Sequence, residues 1–295
     1  MSELFEISLD AVRKTFDRAA TRYDEYAVAQ QEIGRRLIER LDYLRIEPKV
    51  VLDLGCGTGR EMAILRDRYK SADVIGMDAS EGMLAQAKKR KKWWRRPSLA
   101  CADANALPLA ENSVDLVFSN LLLPWCPHAD PVWSEVSRVL RPEGALLFSG
   151  LGPDTLKELR AAMRLIGGSF DHVHTFIDMH DIGDALVRNG IANPVMDVEL
   201  LRLAYKGLPD LLRDLRNSGS QNVFSGRQRG ANKGLSRSRL SDNYAQDEGR
   251  LIATVEVVYG HGWAGQAPSY GSADGEAYVS IDSLKYPGNR HKRFK

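Results

Sequence analysis

The sequence predicts a doubly wound, mostly parallel α/β sheet of seven strands, with an N-terminal helical cap and a helical insertion before the last strand. Two observations predict this fold. An apolar run at 50–54 leads into three alternating glycines, and segments of strand length then alternate with helical segments as far as residue 149. Such alternation is typical of a parallel sheet that carries helices on both faces.

The individual elements follow from apolar spacing and from turn residues. A helical pattern fills 9–45 and precedes the first strand. The predicted strands are 50–54, 73–78, 98–101, 114–118, 145–149, 194–203 and 251–259. The predicted helices are 60–69, 81–92, 131–140, 154–165 and 179–189, with a turn at 141–144 and an amphipathic helix early in 206–245. Pro131 is expected at the first position of its helix, which proline favours.

These elements predict four regions. Residues 1–45 form the N-terminal helical cap, and 46–205 together with 250–262 form the core that binds the cofactor. The segment 206–249 forms a helical and loop insertion that acts as a substrate lid, and 263–295 is a C-terminal extension.

Composition indicates a soluble globular protein. The 295 residues carry a formal net charge of +2, which by itself indicates no polyanionic partner. Three cysteines without a Cys-x-x-Cys pair favour a reducing, cytoplasmic location. We see no basic and apolar leader and no apolar run of membrane-spanning length, so no membrane partner is expected. His172 and His174 alternate, but no acid or cysteine spacing supports a metal site there.

The glycine turn carries the strongest functional signal. Gly55, Gly57 and Gly59 allow a tight turn and a close approach of the backbone to a ligand. The third glycine comes too early for the dinucleotide fingerprint, and the Asp53 carboxylate would repel a pyrophosphate. An acid here favours a cationic ligand such as S-adenosyl-L-methionine. The segment resembles the first motif of class I S-adenosylmethionine-dependent methyltransferases, which have a Rossmann-like fold.

Further cofactor residues are expected at the ends of later strands, where such sheets bind ligands. Asp78 ends the second strand and is expected to accept hydrogen bonds from both ribose hydroxyls. Met83 follows on the next helix and is expected to cover the adenine, although a role as simple core is compatible with this.

The resemblance to methyltransferases extends this site to the third and fourth strands. It implies that the Asp103 side chain accepts from the adenine amine and that the Ala104 N–H donates to a ring nitrogen. It also implies that Asn120 and Leu121, at the end of the fourth strand, lie beside the methionine end of the cofactor.

Outer segments narrow the family. Residues 11–31, 119–126, 152–160, 174–183 and 256–263 resemble the malonyl-acyl-carrier-protein O-methyltransferases that start biotin synthesis, and the resemblance covers roughly 10–265. It implies methyl transfer to the free carboxylate of a malonyl thioester on acyl carrier protein. One departure is Pro124, where the family commonly has glutamine. An assembly factor of respiratory complex I, which shares the 152–183 pattern, and a small-molecule methyltransferase of another pathway are the alternatives.

The catalytic residues are the least determined. A malonyl carboxylate is ionised at neutral pH and needs no general base, so the enzyme has to hold the reactants in line and exclude water. Tyr23 and Tyr26 on the first helical region are candidates to cap the cofactor site, with aromatic core packing as the alternative. Arg213 and Arg216 in the insertion are candidates to hold the carboxylate, with surface arginines as the alternative.

A basic run at 88–96 surrounds Trp93 and Trp94. Its first interpretation is a solvated helix end, where cations are favoured. The second is a docking patch for an acidic carrier protein, and nucleic acid is the least favoured.

Overall fold

The computed structural model describes residues 8–90, 98–166, 176–220, 237–265, 272–273 and 276–277. Its main sheet has the strand order β3-β2-β1-β4-β5-β8-β6, and the short β7 pairs with β8 beside this path. Neighbouring strands from β3 to β5 are parallel, whereas β8 is antiparallel to both β5 and β6. The strands are β1 (Val50–Leu54), β2 (Asp73–Asp78), β3 (Ser98–Cys101), β4 (Val114–Asn120), β5 (Leu140–Leu151), β6 (Ile191–Tyr205), β7 (Gln246–Asp247), β8 (Arg250–Ala264), β9 (Ser272–Ala273) and β10 (Glu276–Ala277). The predicted doubly wound sheet is therefore confirmed, with the two-residue β7 as an unpredicted addition.

Helices flank this sheet and cap one end of it. They are α1 (Leu9–Ala19), α2 (Tyr23–Tyr26), α3 (Val28–Arg40), α4 (Arg60–Arg68), α5 (Glu81–Ala87), α6 (Ala129–Val139), α7 (Lys157–Leu165), α8 (Met179–Arg188), α9 (Leu208–Asn217) and α10 (Arg237–Asp242). The continuous helical pattern predicted before β1 is thus three helices. No described helix is long and apolar enough to cross a membrane.

Several boundaries differ from prediction. β5 begins at Leu140, and the predicted turn is an irregularity inside this strand, where Glu143 has a φ of 64° and the register with β4 shifts. Pro131 is the third residue of α6 rather than the first, because the helix already begins at Ala129. α7 begins only at Lys157, since the Asp154 N–H donates to the Glu256 carboxylate on β8 and holds the preceding loop there.

Apolar side chains cover both faces of the sheet. One core cluster joins β1, β4 and β5 to α6 and α8, and includes the ring contact of Trp133 with Phe148 at 5.0 Å. A second joins the opposite face to α3 and α4. A third joins α7, α9 and α10 to β6 and β8. The described helices between β6 and β8, α9 and α10, therefore pack on the sheet, while the predicted division into four regions stays a prediction.

Two acids fasten the N-terminal helices beside the glycine turn. The Asp17 carboxylate accepts hydrogen bonds from Ser80 Oγ at 2.6 Å and from the Gly82 N–H at 2.9 Å. A Cβ on Gly82 would lie 2.9 Å from Asp17 Cα, so glycine permits this close approach. Asp24 accepts from Thr58 Oγ1 at 2.6 Å and pairs with Arg90. The cap is therefore fixed to the start of α5 and to the glycine turn.

Candidate active site

Two adjoining cavities lie at the carboxyl ends of the central strands. The small cavity, about 130 Å³, is lined by Gly55, Gly57, Asp78, Met83 and Asn120 together with residues of α1. The large cavity, about 380 Å³, is lined by residues of α3, α9, β6 and β8 and by the loop before α7. Six residues line both: Gln30, Leu121, Trp125, Leu151, Ser218 and Ser220. The cavities therefore meet at this shared wall, which we call the junction.

Asp78 is pre-oriented at the small cavity. Its Oδ2 accepts from the Gly57 N–H at 2.9 Å and its Oδ1 from the Ser80 N–H at 2.8 Å. Burial raises the pKa of this carboxyl despite those two bonds. Each carboxylate oxygen can accept a second hydrogen bond, so Asp78 keeps capacity for two ligand hydroxyls.

The glycine turn needs its glycines for backbone conformation. Gly55 and Gly57 have φ values of 77° and 52°, which disfavour any side chain. A Cβ on Gly57 would meet no atom within 4 Å, so its backbone borders open space. The peptide can therefore approach a ligand closely in the small cavity.

Asp53 lies buried beneath the glycine turn and lines neither cavity. Its Oδ2 has no hydrogen-bond partner. Burial, followed by the nearby Glu61 and Asp78 carboxyls, raises the pKa of Asp53 well above its usual range. An orphaned buried oxygen within a group of acids fits a positively charged ligand, whose charge would stabilise the ionised carboxylates.

The junction is built around the end of β4. Ser149 Oγ donates to Asn120 Oδ1 at 2.7 Å, and Asn120 Nδ2 donates to the Gln30 carbonyl oxygen at 3.1 Å. Leu121 has a left-handed φ of 57°, and its N–H donates to Ser149 Oγ at 3.0 Å. Such backbone strain in a non-glycine residue is typical of functional sites.

The α3 helix approaches this wall through a glycine. A Cβ on Gly34 would overlap Glu61 Oε1 and would lie 2.7 Å from Asn120 Nδ2. The helix that carries Gln30 therefore packs with its backbone against the site.

Comparison with known proteins decides the family. Residues 52–148 match the methyltransferase domain family. The chain is 45% identical over 267 residues to the malonyl-[acyl-carrier protein] O-methyltransferase of Gallionella capsiferriformans, covering 88% of this chain and 92% of the relative. It is 46% identical to the Laribacter hongkongensis protein of the same name, covering 89% and 92%. The chain belongs to the malonyl-[acyl-carrier protein] O-methyltransferase family. The predicted family, an enzyme, and S-adenosyl-L-methionine as its cofactor are thereby confirmed, and the assembly-factor alternative is not favoured.

Solved structures agree with the fold. The YcgJ protein of Bacillus subtilis superposes with a TM-score of 0.55 at 18% identity, covering 78% of this chain and 98% of that protein. A Bacillus halodurans protein described as a methyltransferase gives a TM-score of 0.56 at 16% identity, with the same coverage of 78% and 98%.

The structure brings most predicted cofactor residues of this family member together. Gly55, Gly57, Asp78, Met83, Asn120 and Leu121 line the small cavity. Gly59 instead caps α4 and lies against α5, since its Cβ would stand 3.0 Å from Ala87 Cβ. Asp103 is exposed and accepts from the Asn105 N–H at 2.9 Å, and Ala104 lies in the apolar core. Their adenine contacts stay predictions.

The two tyrosine candidates line different cavities. Tyr23 lines the small cavity and Tyr26 the large one. Burial, followed by nearby acids, raises the pKa of Tyr23, so its phenol stays protonated as a donor.

Neither arginine candidate lines the small or the large cavity. Arg213 is exposed and pairs with Asp210 at 2.5 Å, and Arg216 is also exposed. The inner face of α9 presents Leu211, Asp214 and Leu215 to the large cavity instead. The role of Arg213 and Arg216 as a carboxylate clamp stays a prediction without geometric support.

Sequence reasoning missed the polar groups of the junction. Gln30 follows Tyr23 and Tyr26 at helical spacing, a signal that would have indicated it. Ser218 and Ser220 follow α9 in a turn that has no recognisable motif. Pro124, the departure from the family pattern, lines the small cavity and not the large one.

The predicted docking run is only partly described. Lys88 and Lys89 are exposed, whereas Arg90 is engaged by Asp24 and by the Thr58 carbonyl oxygen at 2.8 Å. The rest of this run lies outside the described residues. So do His172 and His174, for which the sequence supports no metal site. Within the described ranges no group of acids, histidines and cysteines is arranged to hold a metal ion.

Proposed function

We propose that this enzyme transfers the methyl group of S-adenosyl-L-methionine to the free carboxylate of a malonyl thioester on acyl carrier protein. The observation that carries the proposal is the junction between the cavities. A second cavity that shares six lining residues with the small cavity provides space for an acyl group, and its wall is mostly apolar apart from a few polar groups. The names of the relatives supply the acceptor.

The small cavity suits the cofactor. Asp78 would accept from the ribose hydroxyls, Met83 would pack on the adenine, and the Gly55–Gly57 backbone would lie along the amino-acid portion. The cofactor supplies an electrophilic methyl group on a sulfonium. The acidic surroundings of Asp53 favour its positive charge.

The acceptor needs positioning rather than activation. One carboxylate oxygen forms a bond to the methyl carbon while the carbon–sulfur bond breaks and its electron pair goes to sulfur. The negative charge of the carboxylate and the positive charge of the sulfonium both disappear, and no proton moves. The chain's task is therefore to align the two reactants and exclude water. Phe16 lines the small cavity and Trp125 lines both cavities, and their edge-to-face contact, at 5.0 Å between ring centroids, supplies apolar surface beside the junction.

A transfer assay tests the proposal directly. With cofactor labelled in the methyl group, we expect base-labile label on malonyl-acyl carrier protein and none on acetyl-acyl carrier protein, which has no free carboxylate. Malonyl-coenzyme A serves to separate recognition of the carrier from recognition of the acyl group. Equal labelling of the acetyl and malonyl carriers, or no labelling of either, would contradict the proposal.

We also propose that the partner is an acidic acyl carrier protein and that the enzyme works in the cytoplasm. A nucleic-acid partner is not expected. The exposed Lys88 and Lys89 support a basic approach surface for the carrier. The insertion between β6 and β8 is the proposed lid, since α9 forms part of the wall of the large cavity.

A further inference from the structure

The reacting carboxylate has a defined place if the proposed function holds. In-line displacement requires the carboxylate oxygen to reach the methyl carbon directly. The carboxylate must therefore lie where the acyl cavity meets the cofactor cavity, which is the junction.

Polar side chains at the junction form a short hydrogen-bonded chain. Gln30 Nε2 donates to Ser220 Oγ at 3.1 Å, and the Ser218 and Ser220 hydroxyl oxygens are 3.0 Å apart. Ser218 is buried, whereas Gln30 and Ser220 are half-buried and line both cavities. The Gln30 backbone is itself tied to β4 through Asn120 Nδ2. This hydrogen-bonded chain is thus anchored to β4, whose end lines the small cavity.

Cationic side chains lie elsewhere on the described walls. Arg202 lines only the large cavity, is 62% exposed, and pairs with Asp247 at 2.9 Å. Arg13 lines only the small cavity and pairs with Asp10 at 2.9 Å. Among the described residues that line both cavities, none is lysine or arginine.

We propose that Gln30 and Ser220 hold the malonyl carboxylate through neutral hydrogen bonds, with Ser218 as the residue that positions Ser220. Ser220 Oγ accepts from Gln30 and from Ser218, so its own proton is available to a carboxylate oxygen. Gln30 Nε2 has a second N–H for the same purpose. Two donors on one side leave an oxygen lone pair for the bond to carbon.

Neutral donors suit a reaction that destroys charge. The carboxylate loses its negative charge as the C–O bond forms, so a guanidinium partner would stabilise the reactant more than the transition state. An amide and a hydroxyl fix the orientation with weaker stabilisation of the ion. The arrangement also leaves the positive sulfonium as the main charge partner of the carboxylate.

The decisive variant is Gln30→Glu, which keeps the side-chain shape and adds a negative charge. We expect kcat/KM for malonyl-acyl carrier protein to fall by more than 100-fold, because two carboxylates would face each other. Calorimetric affinity for S-adenosyl-L-methionine should stay equal or rise, since the new charge faces a cation. Opposite responses to the anionic and cationic reactants would not arise from a merely structural defect.

Milder variants give the graded result. Gln30→Ala and Ser220→Ala should each raise KM and lower kcat/KM by about 10- to 100-fold, as expected for a lost hydrogen bond to a charged group. Ser218→Ala should have a smaller effect of the same kind. Gln31→Ala, whose side chain bonds the Asp24 carbonyl oxygen, and Ser113→Ala, which bonds the Ala110 carbonyl oxygen, are matched controls.

The outcomes separate this inference from the proposed function. Failure of the unaltered enzyme to label malonyl carrier protein would overturn both. Normal labelling that persists in Gln30→Glu and Ser220→Ala would overturn only the proposal that neutral donors hold the carboxylate. Loss of labelling in Arg202→Ala, Arg213→Ala or Arg216→Ala would then assign that role to an arginine. If Gln30→Glu also loses cofactor affinity, the residue supports the fold rather than the carboxylate, and the inference fails.

Discussion

The two cavities are built in different ways. Most predicted residues of the small cavity come directly after strands, at the end of a parallel sheet, and short motifs indicated them. The large cavity combines residues from Tyr26 on α2 to Val255 on β8, and α3, β5, α7, β6 and α9 also contribute to its wall. Local sequence patterns therefore indicate the proposed cofactor site, whereas the proposed acceptor site forms only when distant segments come together in the folded chain. The variants that follow test whether this separation holds.

Among the variants outside the junction, the largest expected effect is the loss of the proposed ribose anchor in the small cavity. Asp78→Ala should weaken binding of S-adenosyl-L-methionine by about 3 kcal/mol, or roughly 100-fold, because two hydrogen bonds to a charged group disappear. Calorimetry measures this directly. Asp73→Ala, at the exposed start of the same strand, is the control and should leave affinity unchanged. Equal affinities in the two variants would remove Asp78 from the site.

Cofactor affinity should also depend on pH. Burial raises the pKa of both Asp53 and Asp78 in the free protein, and the bound cation favours their ionised forms. Binding therefore releases protons, and affinity falls as pH decreases through the raised pKa values, by up to about tenfold per unit for each proton. This window lies above the ordinary carboxyl pKa of about 4.

Affinity measured across that window should flatten in Asp78→Asn, which retains the shape but cannot titrate. An unchanged slope in this variant would assign the dependence to Asp53 and its neighbours.

Gly34 tests the contact between α3 and the junction. Gly34→Ala should lower the free energy of unfolding by about 1 kcal/mol, because overpacking against Glu61 and the tethered Asn120 outweighs the helix propensity gained. Urea denaturation gives the value. Gly207→Ala, where the nearest atom is Pro209 Cδ at 3.5 Å, is the comparison. A stabilised Gly34→Ala protein would mean that α3 can move away from the wall without cost.

The smallest effect is expected at residues that line neither cavity. Lys88→Glu combined with Lys89→Glu should slow methylation of the carrier-bound substrate several-fold at low salt and leave malonyl-coenzyme A unaffected, because surface charge acts mainly on encounter. Initial rates at two ionic strengths measure it. If the substitutions change the rates with both substrates equally, or change neither rate, these lysines are only a solvated helix end.

Sequence patterns predicted the sheet well where each strand ends on a motif. β1 and β2 were placed to the residue, since apolar runs and a glycine turn define them. The irregularity at Glu143 was not foreseen, because it depends on the register between β4 and β5. The junction was missed for a similar reason: Gln30 and Ser220 are 190 residues apart, and the packing of α9 against α2, which precedes α3, brings them together.

The shared wall couples the two reactants. Gln30, Leu121 and Ser220 border both cavities, so a ligand that orders them on one side reduces the entropy that the second ligand loses on binding. Thermodynamic reciprocity then requires that cofactor and acyl carrier raise each other's affinity by the same factor. On the two proposals above, we therefore expect positive cooperativity between cofactor and acyl carrier within a single chain. The methyl ester product carries no charge for the two donors, so we expect it to lose this mutual support and to dissociate.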